Sequence, residues 1–236
     1  MPEFTFVLPC LNEEKTLPFC INEIKQYIKN NQLDAEILVS DNNSEDKSVE
    51  VAKSLDVRVY VCEQKGYGNA LMNGTKNAKG KYCIMGDCDG SYDFSNLDEF
   101  IKKVKDESYD LVVGNRFKGG IKEKAMPFSH KIGVRALSGI ANLFFRTPIK
   151  DYHGGLRAYN TQRFKKLKLE SGGMEYASEM IIKAAINGYK MCEVPTVLRK
   201  DLRDGKSHIR TIRDGFRHLF LILEMFIHKK RYYTVQ

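Results

Sequence analysis

Nothing in the chain approaches the roughly 20 consecutive apolar residues that a membrane-spanning helix needs. None of its six cysteines (Cys10, Cys20, Cys62, Cys83, Cys88 and Cys192) forms a C-x-x-C pair, and no histidine cluster accompanies them. That argues against a zinc centre. Several of these cysteines sit in apolar stretches, where a reduced thiol behaves as a small hydrophobe, so a reducing cytoplasmic compartment fits better than secretion. No basic region precedes the short apolar run at residues 4–8, which reads as a strand and not as a signal peptide. Internal repeats and low-complexity linkers are also missing.

What is present is an ordinary globular composition. The 236 residues are 42% hydrophobic and 29% charged, enough for one large α/β domain or one domain with a small appendage. The formal charge is +8, with much of the positive charge after Arg199. Such an excess points to an anionic partner: nucleic acid, acidic lipid or a phosphorylated substrate.

The first half alternates strand and helix signals. Residues 4–8, 36–39, 57–61, 82–85 and 110–113 read as strands. Leu17, Ile21, Ile24 and Ile28 give helical spacing, and residues 48–55, 66–79 and 97–104 continue the pattern. This is the signature of a mostly parallel sheet covered by helices, in which ligands bind beyond the carboxyl ends of the strands. The loops at those ends carry Asn12, Asp41, Asp87 with Asp89, and Asn115 with Arg116. The second half is less regular. Residues 129–145 and 176–187 read as helices, the latter stopped by Gly188.

Asp87-Cys88-Asp89 follows an apolar strand and is flanked by Gly86 and Gly90. Two carboxylates one residue apart can share a hard cation, Mg²⁺ or Mn²⁺. Such a cation bridges the phosphates of a nucleotide and neutralises charge as a diphosphate leaves. Read singly, Asp41 is also an ordinary Asx-turn residue and Lys65-Gly66-Tyr67-Gly68 a helix entry. A dinucleotide site is disfavoured, because Pro9-Cys10-Leu11-Asn12 stands where G-x-G-x-x-G belongs.

Four segments in order carry a resemblance: Leu8-Pro9-Cys10-Leu11-Asn12-Glu13-Glu14, Ser40-Asp41-Asn42-Asn43-Ser44-Glu45-Asp46, Lys65-Gly66-Tyr67-Gly68-Asn69-Ala70, and Gly86-Asp87-Cys88-Asp89-Gly90-Ser91-Tyr92-Asp93. The chain resembles family 2 glycosyltransferases of the GT-A fold, a Rossmann-like, mostly parallel sheet flanked by helices. The resemblance implies an inverting, metal-dependent hexosyltransferase. It implies a donor pocket of Pro9, Leu11, Glu13, Asp41, Lys65, Asp87 and Cys88, with Asp87 and Asp89 as metal ligands. Asn42 replaces an aspartate that many members carry.

Asn115-Arg116-Phe117, Met126-Pro127-Phe128-Ser129-His130-Lys131 and Asp151-Tyr152-His153-Gly154-Gly155-Leu156-Arg157 resemble the polyprenyl- and dolichyl-phosphate hexose synthases. This implies a lipid-phosphate acceptor, with Arg116 and Arg135 as its holders and Arg157 as an internal brace. A phosphate is already ionised and needs positioning, whereas a hydroxyl acceptor wants a base. Asp151 stands where hydroxyl-using relatives carry that base, so both acceptors stay open. The donor expectation is UDP-glucose, with GDP-mannose also allowed.

We divide the chain into a catalytic domain at residues 1–198 and an extension at 199–236. The extension opens on a basic loop whose Arg203, Lys206, His208 and Arg210 are candidate phosphate contacts. Residues 216–227 then form a wide apolar helical stripe, followed by Lys229, Lys230 and Arg231. An apolar helix with basic and aromatic flanks fits a membrane-surface helix on the cytoplasmic face, although packing on the core is the alternative. Many relatives continue into membrane spans; this chain ends at Gln236, leaving anchoring to its own helix or to a membrane partner. A non-catalytic basic binding protein is the competing class, but no nucleic-acid motif is present.

Overall fold

The computed structural model describes residues 1–106, 108–203 and 211–233, without the side chains of residues 211 and 212. Among these residues there are seven strands: β1 (Phe4–Cys10), β2 (Ala35–Asp41), β3 (Arg58–Val61), β4 (Tyr82–Met85), β5 (Leu111–Asn115), β6 (Arg157–Asn160) and β7 (Met191–Pro195). Nine helices accompany them: α1 (Leu17–Asn30), α2 (Ser48–Ser54), α3 (Tyr67–Asn77), α4 (Asp98–Lys105), α5 (Arg116–Gly119), α6 (Phe128–Phe145), α7 (Thr161–Lys166), α8 (Tyr176–Ile186) and α9 (Thr211–Ile227). A short 3-10 helix, Lys229–Tyr232, follows α9.

The strands form one sheet in the order β3-β2-β1-β4-β6-β5-β7. All neighbours pair in parallel except β6, which is antiparallel to both β4 and β5. The period-2 pattern of β1 shows why both faces are covered. Phe4, Phe6 and Leu8 belong to one core with Leu17, Ile21 and Ile24 of α1 and Phe100 of α4. Val7 belongs to the other, with Leu71 of α3, Met180 and Ile181 of α8, and Ile222 and Met225 of α9.

Parallel pairing sends the carboxyl ends of β1, β2, β4 and β5 to one edge. β6 runs the other way, with Met85 opposite Arg157, so the loop that enters it arrives at that same edge. Sequence periodicity locates neither β6 nor β7. Arg-Ala-Tyr-Asn reads as polar, yet Arg157 is fully buried. Its guanidinium donates to the carbonyls of Tyr152 (2.7 Å), Gly154 (2.9 Å) and Ala177 (3.1 Å), which satisfies a buried cation without a carboxylate. Arg157 is the internal brace of its loop.

The α9 helix packs one face on the core and leaves apolar side chains exposed elsewhere. His218, Ile222 and Met225 are buried on one face, while Phe216, Phe220, Phe226 and Ile227 are exposed on another. Among the described residues no helix is long and apolar enough to cross a membrane.

Candidate active site

The loops after β1 and β2 are tied together. Asn12 N–H donates to Ser44 Oγ (2.9 Å), Asn12 Oδ1 accepts from Glu45 N–H (2.7 Å), and Glu13 N–H donates to Ser48 Oγ (2.8 Å). Asp41, at the end of β2, is buried. Its Oδ2 accepts the Ser44 N–H at 3.1 Å, while its Oδ1 is buried without a protein partner. A buried acceptor left open is costly unless something fills it. Asn42 pins the β2 end to the loop before α3, donating to Gln64 O (2.9 Å) and accepting from Gly66 N–H (2.6 Å).

At the end of β4 the two carboxylates are held differently. Asp87 Oδ1 accepts from the Tyr67 hydroxyl at 2.8 Å. Gly155 lies against its other oxygen so closely that an added Cβ would sit 2.5 Å from Oδ2. Asp89 Oδ1 accepts the Ser91 N–H (3.0 Å), and its Oδ2 accepts from Arg203 Nη2 (2.8 Å). Burial, and then the neighbouring Asp89 charge, push Asp87 up to about 6. Burial also pushes Glu13 up to about 7, although its Oε2 accepts from Thr16 Oγ1 at 2.6 Å. Anionic groups crowded out of water in this way are stabilised by an added cation.

Beyond these carboxylates extends a cavity of about 400 Å³, walled by Tyr67, Arg116, His153, Met126, Val134 and Leu137 among others. It reaches α6 through Pro127, His130 and Gly133 and α9 through Asp214, Gly215 and His218. Asp151 does not line it. That carboxylate has no exposure and is bound by Arg116 through Nε (2.8 Å), Nη2 (2.8 Å) and the backbone N–H (3.0 Å). His153 Nε2 meets His218 Nδ1 at 3.2 Å, and the same His218 atom meets Ser178 Oγ at 2.8 Å. Burial holds both imidazoles below the usual histidine range, His218 at about 4, so both are neutral at pH 7.

The model of glycosyl transferase family 2 matches residues 5–168. The chain belongs to glycosyltransferase family 2. Among curated proteins it is 31% identical to the low-salt glycan biosynthesis hexosyltransferase Agl6 of Haloferax volcanii, over 94% of this chain and 53% of that one. It is 28% identical to a dolichyl-phosphate hexose transferase of the same organism, over 91% of this chain and 92% of the relative. The chain thus spans about half the length of Agl6 but nearly all of the second relative. Among solved structures, glucosyl-3-phosphoglycerate synthase of Mycobacterium tuberculosis, in complex with Mn²⁺, UDP and phosphoglyceric acid, superposes with a TM-score of 0.71 at 16% identity. That match covers 96% of this chain and 79% of the synthase, and it establishes a shared fold.

In this family 2 chain the fold brings together Glu13, Asp87, Asp89 and Arg203. Cys88 turns inward, its thiol donating to Pro9 O at 3.0 Å, so its side chain packs between two strand ends. Lys65 is exposed at the entry to α3. Leu11 is partly buried in the bend after β1. Arg135 stacks 4.6 Å over the Phe117 ring and lines a neighbouring groove with Arg116, Lys131 and Ile132. Arg116 lines both that groove and the main cavity. Lys206, His208 and Arg210 lie outside the described residues. The sequence segments contain Tyr67, His153 and Gly155 without giving any of them a role, and His218 lies in none of them. The only hint of Tyr67 is its place in Lys65-Gly66-Tyr67-Gly68, which reads equally as a helix entry.

Proposed function

We propose that this glycosyltransferase moves a hexose from a nucleoside-diphosphate sugar to a polyprenyl phosphate, with inversion, while docked on the cytoplasmic face of a membrane. The observation that carries the reading is the cavity itself. Its acidic end holds Asp87 and Asp89, and its other end opens between α6 and α9, the two helices with the most exposed apolar side chains. Phe128, Ile132 and Leu143 on α6 and Phe216, Phe220 and Ile227 on α9 are all more than half exposed. Lys131, Arg135, Lys229, Lys230 and Arg231 lie in or next to these helices. Apolar side chains mixed with cations suit an anionic bilayer surface. The dolichyl-phosphate hexose transferase relative supports the same acceptor class.

The state of Asp151 favours a phosphate over a hydroxyl acceptor. Both of its oxygens accept from Arg116, so it has no free lone pair directed at a substrate hydroxyl. A phosphate needs no base; it needs charge compensation, which Arg116 at the cavity wall supplies in part. In this reading Asp41 Oδ1 accepts a hydrogen bond from the nucleobase, and UDP-glucose is the favoured donor.

The donor set fits Mg²⁺ or Mn²⁺. No group of three or more His, Cys, Asp or Glu side chains suited to a metal is present among the described residues. Such cations are commonly held by one or two carboxylates plus substrate phosphates, and Asp89 with Asp87 offers that number. Bound there, the cation would supply Lewis-acid charge neutralisation to the departing diphosphate. Asp89 and Asp87 would hold it, Tyr67 fixes Asp87, and Arg203, bonded to Asp89, would supply positive charge beside it. Inversion follows from one in-line displacement at the anomeric carbon.

A thermal-shift panel of nucleotides and nucleotide sugars, with and without Mn²⁺, tests the donor half. UDP and UDP-glucose are expected to raise the melting temperature only with the cation. Equal shifts without it would remove the metal from the account.

A further inference from the structure

The strap that delivers Arg203 is fastened to the acidic loop by its backbone. Arg199 N–H donates to Ser91 O and Leu202 N–H donates to Asp89 O, each at 2.8 Å. The Leu202 side chain covers Gly90, where a Cβ would lie 2.6 Å from Leu202 Cδ1. At the end of this strap the Arg203 guanidinium faces three carboxylates. Nη2 donates to Asp89 Oδ2 (2.8 Å) and Asp201 Oδ2 (3.3 Å), and Nη1 lies 3.4 Å from Glu13 Oε1. Each oxygen of Asp89 accepts one hydrogen bond, from the Ser91 amide at Oδ1 and from Arg203 at Oδ2, so a second cation at Oδ2 would stand against a guanidinium already there.

We propose that Arg203 is a resident cation of the donor site: it competes with the divalent metal for Asp89 and yields when a diphosphate arrives as its replacement partner. The proposal rests on the metal–diphosphate reading above and adds a binding logic to it. A metal alone either sits against the Arg203 guanidinium at Asp89 or displaces it onto the longer contacts with Asp201 and Glu13, and either costs free energy. Arg203 Nε already has no partner and is buried. A metal arriving with a diphosphate brings its own anion, and the guanidinium transfers to phosphate oxygens, for which its planar fork is suited. Metal and diphosphate then bind with positive coupling, each appearing weak without the other.

The test is titration of donor-free protein with Mn²⁺, with free Mn²⁺ followed by electron paramagnetic resonance, in the absence and presence of UDP. In the wild type, UDP is expected to tighten Mn²⁺ binding by at least ~10-fold, within the range usual for coupled sites. For Arg203→Gln, Mn²⁺ alone binds about 10-fold tighter than to the wild type, and the UDP enhancement shrinks to about threefold or less. Arg203→Lys keeps the charge and stays within about threefold of the wild type. The control is Arg199→Gln, which removes an equal charge from the same strap. Arg199 pairs with Glu23 and Asp93 and does not touch Asp89, so Mn²⁺ affinity should not change. Unchanged Mn²⁺ affinity in R203Q overturns the proposal, as does an equal gain in R199Q or R203K. If UDP fails to bring Mn²⁺ to any of the proteins, the metal site itself falls and the proposal with it.

Discussion

Asp151→Asn separates a structural brace from a catalytic base. Asp151 has no exposure and Arg116 only 8%. Its carboxylate accepts three hydrogen bonds from Arg116 and one, at 3.3 Å, from the His153 N–H. Asparagine keeps one acceptor oxygen but turns an NH₂ group onto a guanidinium N–H, so one bond becomes a donor–donor clash and Arg116 loses its counter-charge. Removing one member of a buried ion pair costs about 3–5 kcal/mol. At about 2–4 °C per kcal/mol for a chain of this size, the melting temperature should drop by roughly 6–20 °C. Differential scanning calorimetry gives this directly. Arg116→Leu combined with Asp151→Asn should lose less than the two single changes added together, because the stranded charge is gone. If Asp151 were instead the base of a hydroxyl transfer, D151N would melt within about 2 °C of the wild type. Turnover would fall by ~10²-fold or more. That pair of results would refute the brace.

Asp89→Ala should abolish the Mn²⁺-dependent thermal shift by UDP and reduce transfer to background; a normal shift would reject Asp89 as a ligand. Gly155→Ala drives a methyl group to 2.5 Å from Asp87 Oδ2 and 3.1 Å from the Tyr92 ring. Relieving that contact by moving Asp87 about 1 Å is worth ~10²-fold in kcat/KM, and wild-type kinetics would contradict the close approach. His218→Asn should flatten part of the acid sensitivity. The folded His218 is depressed to about 4, so the unfolded chain takes the proton first as the pH falls below 6.5. Stability is lost from there down to about pH 4, at about 1.4 kcal/mol per pH unit. Glu13 and Asp87 are raised and act in the opposite direction, so the informative quantity is the difference between wild type and variant. Between pH 7 and 5 that difference should change by ~2 kcal/mol in chemical denaturation, and a constant difference would contradict the neutral buried imidazole.

The sequence makes the first half of this fold legible because its strands are short, apolar and closed by turn residues. Asp87 and Asp89 stand out for the same reason: two acids directly after Tyr82-Cys83-Ile84-Met85 have no place in a buried strand. The second half hides its strands. In β6 the residue that should reveal burial is Arg157, a cation satisfied by carbonyls brought in from Tyr152, Gly154 and Ala177, and no local pattern announces that. Without β6, the loop carrying Asp151, His153 and Gly155 cannot be assigned to the acidic edge by geometry. Long-range pairs are invisible for a similar reason. Arg203 lies 114 residues from Asp89, and His218 lies 65 from His153. The Cys88 thiol takes the position that packs between the strand ends, while Asp87 and Asp89 on either side of it line the cavity.

In the proposed reaction the diphosphate held at Asp89 leaves under attack by a lipid phosphate. The most direct test is transfer of radiolabelled glucose from UDP-glucose, with Mn²⁺ and short-chain polyprenyl phosphate in detergent, followed by partition into organic solvent. Acid-labile label is expected in the organic phase, absent in Asp89→Ala and absent when polyprenyl alcohol replaces the phosphate. Label that enters only a water-soluble glycan, or that reaches the alcohol as readily as the phosphate, would contradict this reaction.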